Sequence, residues 1–286
     1  MRIFVILLSI LLNNFSFAEK TLSYSILDIE FNDRLPFVTV FIEGRPVKLL
    51  LDTGARNAFL ILNKDIIATL NTLVEFPIKF KSQDITGKTY IAKKYILPKF
   101  NIDNINFIKV KLDEDTNWGL TTGPKKTKDG AIGLELFSNK AIILDYPNKK
   151  LAIIDGKIPP EYDIENWSKI NYEIDRYGLI ISAVIDRGWA KTFVLDSGSN
   201  ISIIKPTSGG TNNIQYDCDI NLSPGLQCTH INTQVFSIND INYKNLQFYL
   251  YHFYEPTSDG ILGYNFLIDK IIYIDFIKKQ IRIKNV

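Results

Sequence analysis

The sequence contains Leu49-Leu50-Leu51-Asp52-Thr53-Gly54-Ala55 and, farther along, Phe193-Val194-Leu195-Asp196-Ser197-Gly198-Ser199. In both stretches, apolar residues lead into a carboxylate, a hydroxyl and a glycine. A short apolar run that ends at a turn signal predicts a buried strand. The chain therefore places an Asp at the end of a buried strand twice, 144 residues apart.

This arrangement favours acid–base chemistry. A carboxylate at the end of a buried strand is unfavourable unless donors surround it or a proton neutralises it. Gly54 and Gly198 allow tight turns that bring amides close, and Thr53 and Ser197 supply short hydroxyls. If the two loops meet, Asp52 and Asp196 share one proton, so one acts as general base on a water and the other as general acid.

Further landmarks recur in the same order. Asp129-Gly130-Ala131-Ile132-Gly133 matches Asp259-Gly260-Ile261-Leu262-Gly263, and the apolar segment 141–146 matches 271–276. Such self-similarity predicts two copies of one structural unit. Frequent Ile, Tyr, Phe, Val and Thr favour an all-β fold. We predict a signal peptide at 1–18, an N-terminal lobe at 19–157, a linker at 158–170 and a C-terminal lobe at 171–286.

Local patterns predict individual elements. Residues 35–42 and 178–185 are each expected to be a strand that enters a hairpin, and 66–73 a short helix. Strands at 76–80 and 89–96 are expected to flank a polar loop.

Composition excludes several classes of function. The 286 residues are 46% hydrophobic and 22% charged, which is typical of a globular protein. A net charge of +2 gives no electrostatic footprint for nucleic acid. Two cysteines and two histidines, His230 and His252, fit neither a zinc site nor a Cys/His or Ser/His nucleophile. We therefore expect no metal and no cofactor.

The N-terminus has the pattern of a secretory signal. Met1-Arg2 precedes an apolar run from Ile3 to Leu12, and Ser16-Phe17-Ala18 offers small residues for cleavage. The alternative is a membrane anchor, but the run is shorter than the ~20 residues of a membrane span. We expect an exported protein, periplasmic or secreted, without a stable membrane span. In such a protein, Cys218 and Cys228 are expected to form a local disulfide, the alternative being two free buried thiols.

Together, these motifs resemble those of the aspartic peptidases of the pepsin and retropepsin superfamily. In that family, each lobe contributes a hydrophobic-hydrophobic-Asp-Thr/Ser-Gly motif and, later, a hydrophobic-hydrophobic-Gly motif. Here the second motif is Ala131-Ile132-Gly133 in one half and Ile261-Leu262-Gly263 in the other. The lobe size, Ala55 and the run Gly263–Leu267 are similar to retropepsins of the bacterial type, whereas the fused two-lobe layout is similar to pepsin.

The resemblance implies two acid-protease β-barrel lobes related by a pseudo-two-fold axis, with the active site in the cleft between them. It implies that Gly133 and Gly263 lie where a side chain would collide with a catalytic loop. It also implies a hairpin flap, for which Tyr90 is the candidate substrate-binding residue. The alternative for Tyr90 is an ordinary strand tyrosine packed on a sheet. We expect a monomeric endopeptidase that acts on polypeptide substrates.

Two rival functions remain at this stage. In the first alternative to the endopeptidase, the chain is a catalytically inactive relative that binds extended peptides between its lobes. In the second, it is an exported lectin-like or structural β protein whose motifs are accidental. One further expectation concerns pH. Ser199 is expected to donate a hydrogen bond near Asp196, whereas Ala55 offers none near Asp52. This asymmetry predicts raised pKa values in the dyad and activity that extends into mildly acidic or near-neutral pH.

Overall fold

The computed structural model describes residues 23–55, 59–77, 79–83, 89–115, 129–175, 178–186, 189–206, 214–216, 229–239, 241–251, 253 and 257–286. Residues 1–18, predicted as a signal peptide, and Cys218, Cys228 and His252 lie outside the described residues.

In the described part of its first half, the chain forms short and medium strands, one turn of α-helix and one turn of 3-10 helix. Its helices are α1 (Lys64–Ile67) and a 3-10 helix at Leu134–Phe137. Its strands are β1 (Ser23–Asp28), β2 (Glu30–Asn32), β3 (Leu35–Ile42), β4 (Arg45–Asp52), β5 (Leu60–Leu62), β6 (Val74–Glu75), β7 (Phe80–Gln83), β8 (Thr89–Ala92), β9 (Lys94–Ile102), β10 (Ile105–Glu114), β11 (Gly130–Gly133), β12 (Ala141–Asp145) and β13 (Lys150–Asp155).

The second half follows the same plan. Its helices are a 3-10 helix at Ile164–Asn166 and α2 (Tyr264–Leu267). Its strands are β14 (Ser168–Ile170), β15 (Tyr172–Asp175), β16 (Gly178–Ile185), β17 (Trp189–Leu195), β18 (Ile203–Ile204), β19 (Ile214–Tyr216), β20 (Thr229–Asn232), β21 (Phe236–Ile238), β22 (Ile241–Tyr243), β23 (Gln247–Leu250), β24 (Gly260–Leu262), β25 (Lys270–Asp275) and β26 (Gln280–Asn285).

Each half forms a lobe with the same order of strands. The sheet of the first lobe contains the series β3-β4-β11-β5-β10-β9, and that of the second contains β16-β17-β24-β18-β23-β20. In each lobe, the strand that leads into the motif Asp is paired in parallel with the strand that leads into the motif Gly. The strands β7 and β8 form a separate two-stranded sheet. The prediction of an all-β fold with two similar lobes is confirmed.

A third sheet joins the lobes, and both halves contribute to it. Its order is β1-β13-β12-β25-β26-β14. The central pair β12 and β25 runs antiparallel, with Ala141 opposite Asp275 and Asp145 opposite Ile271. Because these strands are repeat equivalents, the pseudo-two-fold axis passes between them. The predicted linker 158–170 contains the 3-10 helix and β14, which pairs with β26 at one edge of this sheet.

The apolar core is continuous between the halves. A single cluster of buried side chains includes Leu49 and Leu51 from β4, Leu195 from β17, and Ile142 and Ile274 from the shared sheet. Strand alternation explains the choice of residues, since Leu49 and Leu51 point to one face of β4 while Leu50 joins a second cluster on the opposite face. Asp52 belongs to the same face as Leu50, so it projects away from the core of its lobe.

Several predicted element bounds hold and others are wrong. The structure has β3 at Leu35–Ile42 and β16 at Gly178–Ile185, as predicted. The helix predicted at 66–73 instead covers Lys64–Ile67, because Asn63 Oδ1 accepts the Ile66 N–H at 2.8 Å and starts the helix earlier. The strand predicted at 76–80 begins only at Phe80.

Candidate active site

Asp52 is the last residue of β4, a strand buried along most of its length. A parallel partner, β11, fixes the position of this strand end, with Ala131 opposite Leu50 and Gly133 opposite Asp52. In the second lobe, β17 ends at Leu195 beside Leu262 of β24, and the Asp196 N–H donates to the Leu262 carbonyl at 3.0 Å. The same strand pairing thus positions both Asp residues.

Backbone amides surround the two carboxyl groups. Asp52 Oδ1 accepts the N–H groups of Gly54 and Ala55, each at 3.0 Å. Asp196 Oδ1 accepts the Gly198 N–H at 2.8 Å. Each carboxyl also faces the glycine of the opposite loop, and the two carboxyls interact with each other electrostatically. The structure therefore brings Asp52 and Asp196 together as a pair able to hold one proton between them.

Thr53 and Ser197 lock the two loops to each other through four hydrogen bonds. The Thr53 hydroxyl donates to the Leu195 carbonyl and accepts the Ser197 N–H, both at 2.8 Å. Reciprocally, the Ser197 hydroxyl donates to the Leu51 carbonyl at 2.6 Å and accepts the Thr53 N–H at 3.0 Å. Both side chains are 1% exposed, so water does not compete for these bonds. The reciprocal pattern holds the dyad to two-fold geometry.

Gly54 and Gly198 permit the close approach of the carboxyl groups. A Cβ at Gly54 would lie 2.6 Å from Asp196 Cγ, and a Cβ at Gly198 would lie 2.6 Å from Asp52 Cγ. No side chain fits at either place, because each glycine faces the carboxyl of the opposite loop. The amide of each glycine donates to its own loop's Asp.

Gly133 and Gly263, the glycines of the second motif, lie next to the loops that follow Asp52 and Asp196. A Cβ at Gly263 would lie 2.2 Å from the Ile201 carbonyl oxygen and 2.7 Å from that of Ser199, so only glycine fits beside the loop that follows Asp196. In the first lobe, the Gly133 N–H donates to the Phe59 carbonyl at 3.1 Å. The residue after each glycine repeats one contact, since the N–H groups of Leu134 and Tyr264 donate to the carbonyls of Ala55 and Ser199.

Burial raises the pKa of both dyad carboxyls. The pKa of Asp52 lies above its ordinary value because burial outweighs the amides of Ala55 and Gly54. Burial first, and then the charge of Asp52, raise the pKa of Asp196 well above its ordinary value. The amides of Gly54 and Ala55 support Asp52, and those of Gly198 and Gly54 support Asp196, so amide support does not separate the two carboxyls. The additional effect of the Asp52 charge on Asp196 favours the arrangement in which Asp52 is ionised and Asp196 carries the shared proton.

Removal of the ionisable group at Asp196 is expected to stabilise the fold. A carboxyl whose pKa is higher in the folded state costs stability as pH rises from its unfolded value, 3.8, to its folded value. Each unit of that shift costs about 1.4 kcal/mol once the pH exceeds the folded pKa. Asp196→Asn should therefore raise the melting temperature by an amount that grows with pH above 4. Melting curves across the pH range measure this, and a gain independent of pH would contradict it.

The expectation for Ser199 is wrong. Its hydroxyl donates to the Ile201 carbonyl at 2.7 Å, within its own loop. The pKa values of both dyad carboxyls are raised by burial, and the charge of Asp52 raises the pKa of Asp196 further.

Sequence reasoning missed a second pair of supporting carboxylates. Asp129 accepts the Lys48 N–H at 3.0 Å, and Asp259 accepts the Thr192 N–H at 2.9 Å. Each bond joins the start of the strand that leads into the motif glycine to the strand that leads into the dyad Asp. The repeat aligned these two Asp residues, and that alignment was the signal available for their role.

Ser202 and Asn265 were also missed. The Ser202 hydroxyl accepts the Gly263 N–H at 3.0 Å, and the Ser202 N–H donates to Asn265 Oδ1 at 2.7 Å. The Asn265 amide in turn donates to the Gln247 carbonyl at 2.7 Å. These bonds fix the loop after Asp196 against α2. The repeat does not mark Asn265, because the matching residue of the first half is Glu135.

Tyr90 lies on β8, half-buried and opposite Ser82 of β7 in the two-stranded sheet. The base of this hairpin packs within its own lobe, since the Phe80 ring meets Phe76 edge to face and lies 4.8 Å from Lys94 Nζ. The turn of the hairpin lies outside the described residues.

The described ranges contain no group of three or more His, Cys, Asp and Glu side chains that is placed to hold a metal ion. In the same part of the chain, no helix combines the length and apolar character that a membrane crossing requires.

Comparison with known proteins finds solved structures with a similar fold. No protein-family model matches the sequence, and no curated protein matches it. Among solved structures, the aspartic proteinase from Irpex lacteus matches with a TM-score of 0.60 at 13% identity, covering 92% of this chain and 98% of that one. Basic 7S globulin from soybean matches with a TM-score of 0.58 at 10% identity, covering 92% and 95%. The chain therefore has the two-lobed, all-β fold of the pepsin-like aspartic proteinases.

Proposed function

We propose that the protein is an exported aspartic endopeptidase of retropepsin-like character, in which the Asp52/Asp196 dyad activates a water for attack on a peptide bond. The observation that carries this proposal is the meeting of two buried carboxyl groups, each against the glycine of the opposite loop and each bonded to backbone amides of Gly54, Ala55 or Gly198. A pepsin-like fold with this pair intact supports hydrolysis.

The geometry suggests a role for each carboxyl. Ionised Asp52 accepts a proton from the water while the water oxygen attacks the scissile carbonyl carbon. Protonated Asp196 donates its proton to the carbonyl oxygen, which gives a neutral tetrahedral diol. The proton held by Asp52 then passes to the amide nitrogen as the C–N bond breaks, and a diol proton returns to Asp196. The scheme has no covalent intermediate and conserves protons.

The pH dependence of cleavage tests this proposal. The acid limb of the profile corresponds to protonation of Asp52 and the alkaline limb to loss of the shared proton from Asp196. Since both pKa values are raised, we expect the maximum above pH ~4, the ordinary range of a carboxyl group. The assay measures new amino termini from an unfolded protein at each pH, with and without a pepstatin-type inhibitor. Activity confined below pH ~4 would contradict the expected shift, and absence of inhibitable cleavage would contradict the proposed function.

A second candidate is a peptide-binding protein that does not cleave. It gains weight from the soybean relative, which shares the fold and is named as a globulin, so the fold alone does not decide between the two. Under this alternative, extended peptides bind the wild-type protein without hydrolysis, and Asp52→Asn leaves their affinity unchanged.

A further inference from the structure

Three aromatic rings meet where the two lobes adjoin, and the proposed mechanism does not use them. Phe31 belongs to β2 of the first lobe, Tyr146 follows β12 of the shared sheet, and Tyr264 begins α2 of the second lobe. The ring centroid of Phe31 lies 5.5 Å from that of Tyr146 and 5.6 Å from that of Tyr264, and the centroids of the two tyrosines are 6.3 Å apart. Aromatic rings attract each other at separations of about 4.5–7 Å. These three rings, the aromatic triad, therefore form a direct contact between the lobes.

The backbone of Tyr264 holds the loop that carries Asp196. Its N–H donates to the Ser199 carbonyl at 2.9 Å, and the Ser199 N–H donates to the Asp196 carbonyl at 3.3 Å. The preceding residue, Gly263, lies so close to this loop that no side chain fits there. A displacement of the Tyr264 ring would therefore move the residues that set the position of Asp196.

Phe31 is connected to the other carboxyl through paired strands. It belongs to β2, which pairs with β3, and β3 pairs with β4, which ends at Asp52. The triad thus links the strands behind Asp52 to the loop behind Asp196. This link is separate from the hydrogen bonds that join the two dyad loops directly.

The triad breaks the two-fold symmetry of the molecule. In the order Phe31, Tyr146, Tyr264, the matching places of the other half hold Ile174, Phe276 and Leu134. That side of the molecule therefore keeps one ring of the three. The duplicated architecture does not require the contact, which distinguishes the loop of Asp196 from the loop of Asp52.

We propose that Tyr264 is a positioning residue for the dyad, whose ring, held by Phe31 and Tyr146, fixes the loop of Asp196 relative to Asp52. The role rests on the proposed peptidase mechanism, in which both carboxyls must reach one water. Because proton transfer depends steeply on geometry, a small displacement of one carboxyl slows the chemical step.

The effect of Asp52 on Asp196 reports how closely the two carboxyls approach. Burial first, and then the charge of Asp52, raise the pKa of Asp196, and the effect of the charge weakens as the carboxyls separate. Tyr146 also interacts electrostatically with Asp196, and Tyr264 with Tyr146, whereas Phe31 has no ionisable group. Burial keeps Tyr146 neutral by raising its pKa well above its ordinary value. A looser triad should therefore bring the pKa of Asp196 closer to its ordinary value.

The test is Tyr264→Leu, which introduces the residue that the first lobe has at the matching place. We expect kcat to fall about 10-fold and the alkaline limb of the pH–rate profile to move down by about half a pH unit. The same change affects stability. A lower folded pKa of Asp196 reduces the stability that is lost as pH rises, so the melting-temperature deficit of the variant relative to wild type should shrink above pH ~4.

Three further variants complete the experiment. Phe31→Leu should reproduce both changes, because it loosens the triad from the first lobe and alters no residue of the Asp196 loop; it also decides the question if Tyr264→Leu does not fold. Tyr264→Phe keeps the ring and should keep the wild-type alkaline limb. Phe100→Leu is the control for general destabilisation, since Phe100 is 2% exposed and its ring pairs with Phe107 at 5.7 Å, outside the triad. Its melting deficit should be the same at every pH.

Melting does not depend on catalysis, so this measurement separates the role of Tyr264 from the proposed function. Deficits that shrink with pH in Tyr264→Leu and Phe31→Leu, and no longer do so when Asp196→Asn is added, would support the positioning role even if the protein cleaved nothing. Deficits independent of pH in both leucine variants would mean that the triad only stabilises the contact between the lobes, and would overturn the proposal.

Discussion

Asp52→Asn and Asp196→Asn are each expected to reduce cleavage of an unfolded protein substrate by at least about 10³-fold. An amide at position 52 cannot accept the proton of the attacking water. An amide at position 196 cannot give a proton to the scissile carbonyl oxygen. The shape of each side chain is kept, so the Gly54, Ala55 and Gly198 amides remain in place. Initial rates of formation of new amino termini measure the effect.

The control for these variants is Asp28→Asn. Asp28 lies on β1 in the shared sheet, with its side chain 85% exposed, so its loss should leave both cleavage and fold unchanged. Circular dichroism melts establish that the dyad variants are folded. Turnover near the wild-type rate in either folded dyad variant would rule out the mechanism, because each proton transfer would then have another source.

Thr53→Val is expected to destabilise the protein by about 2–6 kcal/mol and to abolish activity with it. Valine has the shape of threonine but lacks the hydroxyl, so the Leu195 carbonyl and the Ser197 N–H both lose their partner inside a buried contact. Each unpaired buried group costs about 1–3 kcal/mol. Because native stability is about 5–15 kcal/mol, this loss is a large part of the total. Urea denaturation measures it.

Thr53→Ser is the matched variant, since it keeps the hydroxyl and the other loop already uses Ser197 at the equivalent place. We expect the serine variant to lose about 1 kcal/mol of unfolding free energy, because it lacks only one buried methyl group. If the valine and serine variants had the same free energy of unfolding, the hydrogen bonds between the loops would not be what holds the dyad together.

The repeated motifs made the main features of the fold predictable. Strands β3 and β16 have the predicted bounds because alternating apolar residues and a turn define both ends of each. The duplication predicted two similar lobes, and the resemblance to the aspartic peptidases implied that Asp52 and Asp196 meet in the cleft between them. These predictions depend on the alternation of apolar residues and on the repeated motifs, neither of which is altered by small changes in local geometry.

Other features depend on distances that a sequence does not contain. Whether the Ser199 hydroxyl points to Asp196 or to the Ile201 carbonyl is decided by small displacements within one loop. The partners of Asp129 and Ser202 lie on strands that are remote in sequence, and no alternation pattern marks them. The strand β14 is only three residues long, so it was hidden in a segment whose prolines predict a linker.

The shared sheet also constrains how the protein can be synthesised. Strand β12 of the first lobe has β13 on one side and β25 on the other, and β25 begins only at Lys270. While the ribosome is still making the second half, a nascent first lobe exposes an unpaired apolar edge of the kind that invites intermolecular pairing. The first lobe therefore cannot complete this sheet until β25 has been synthesised.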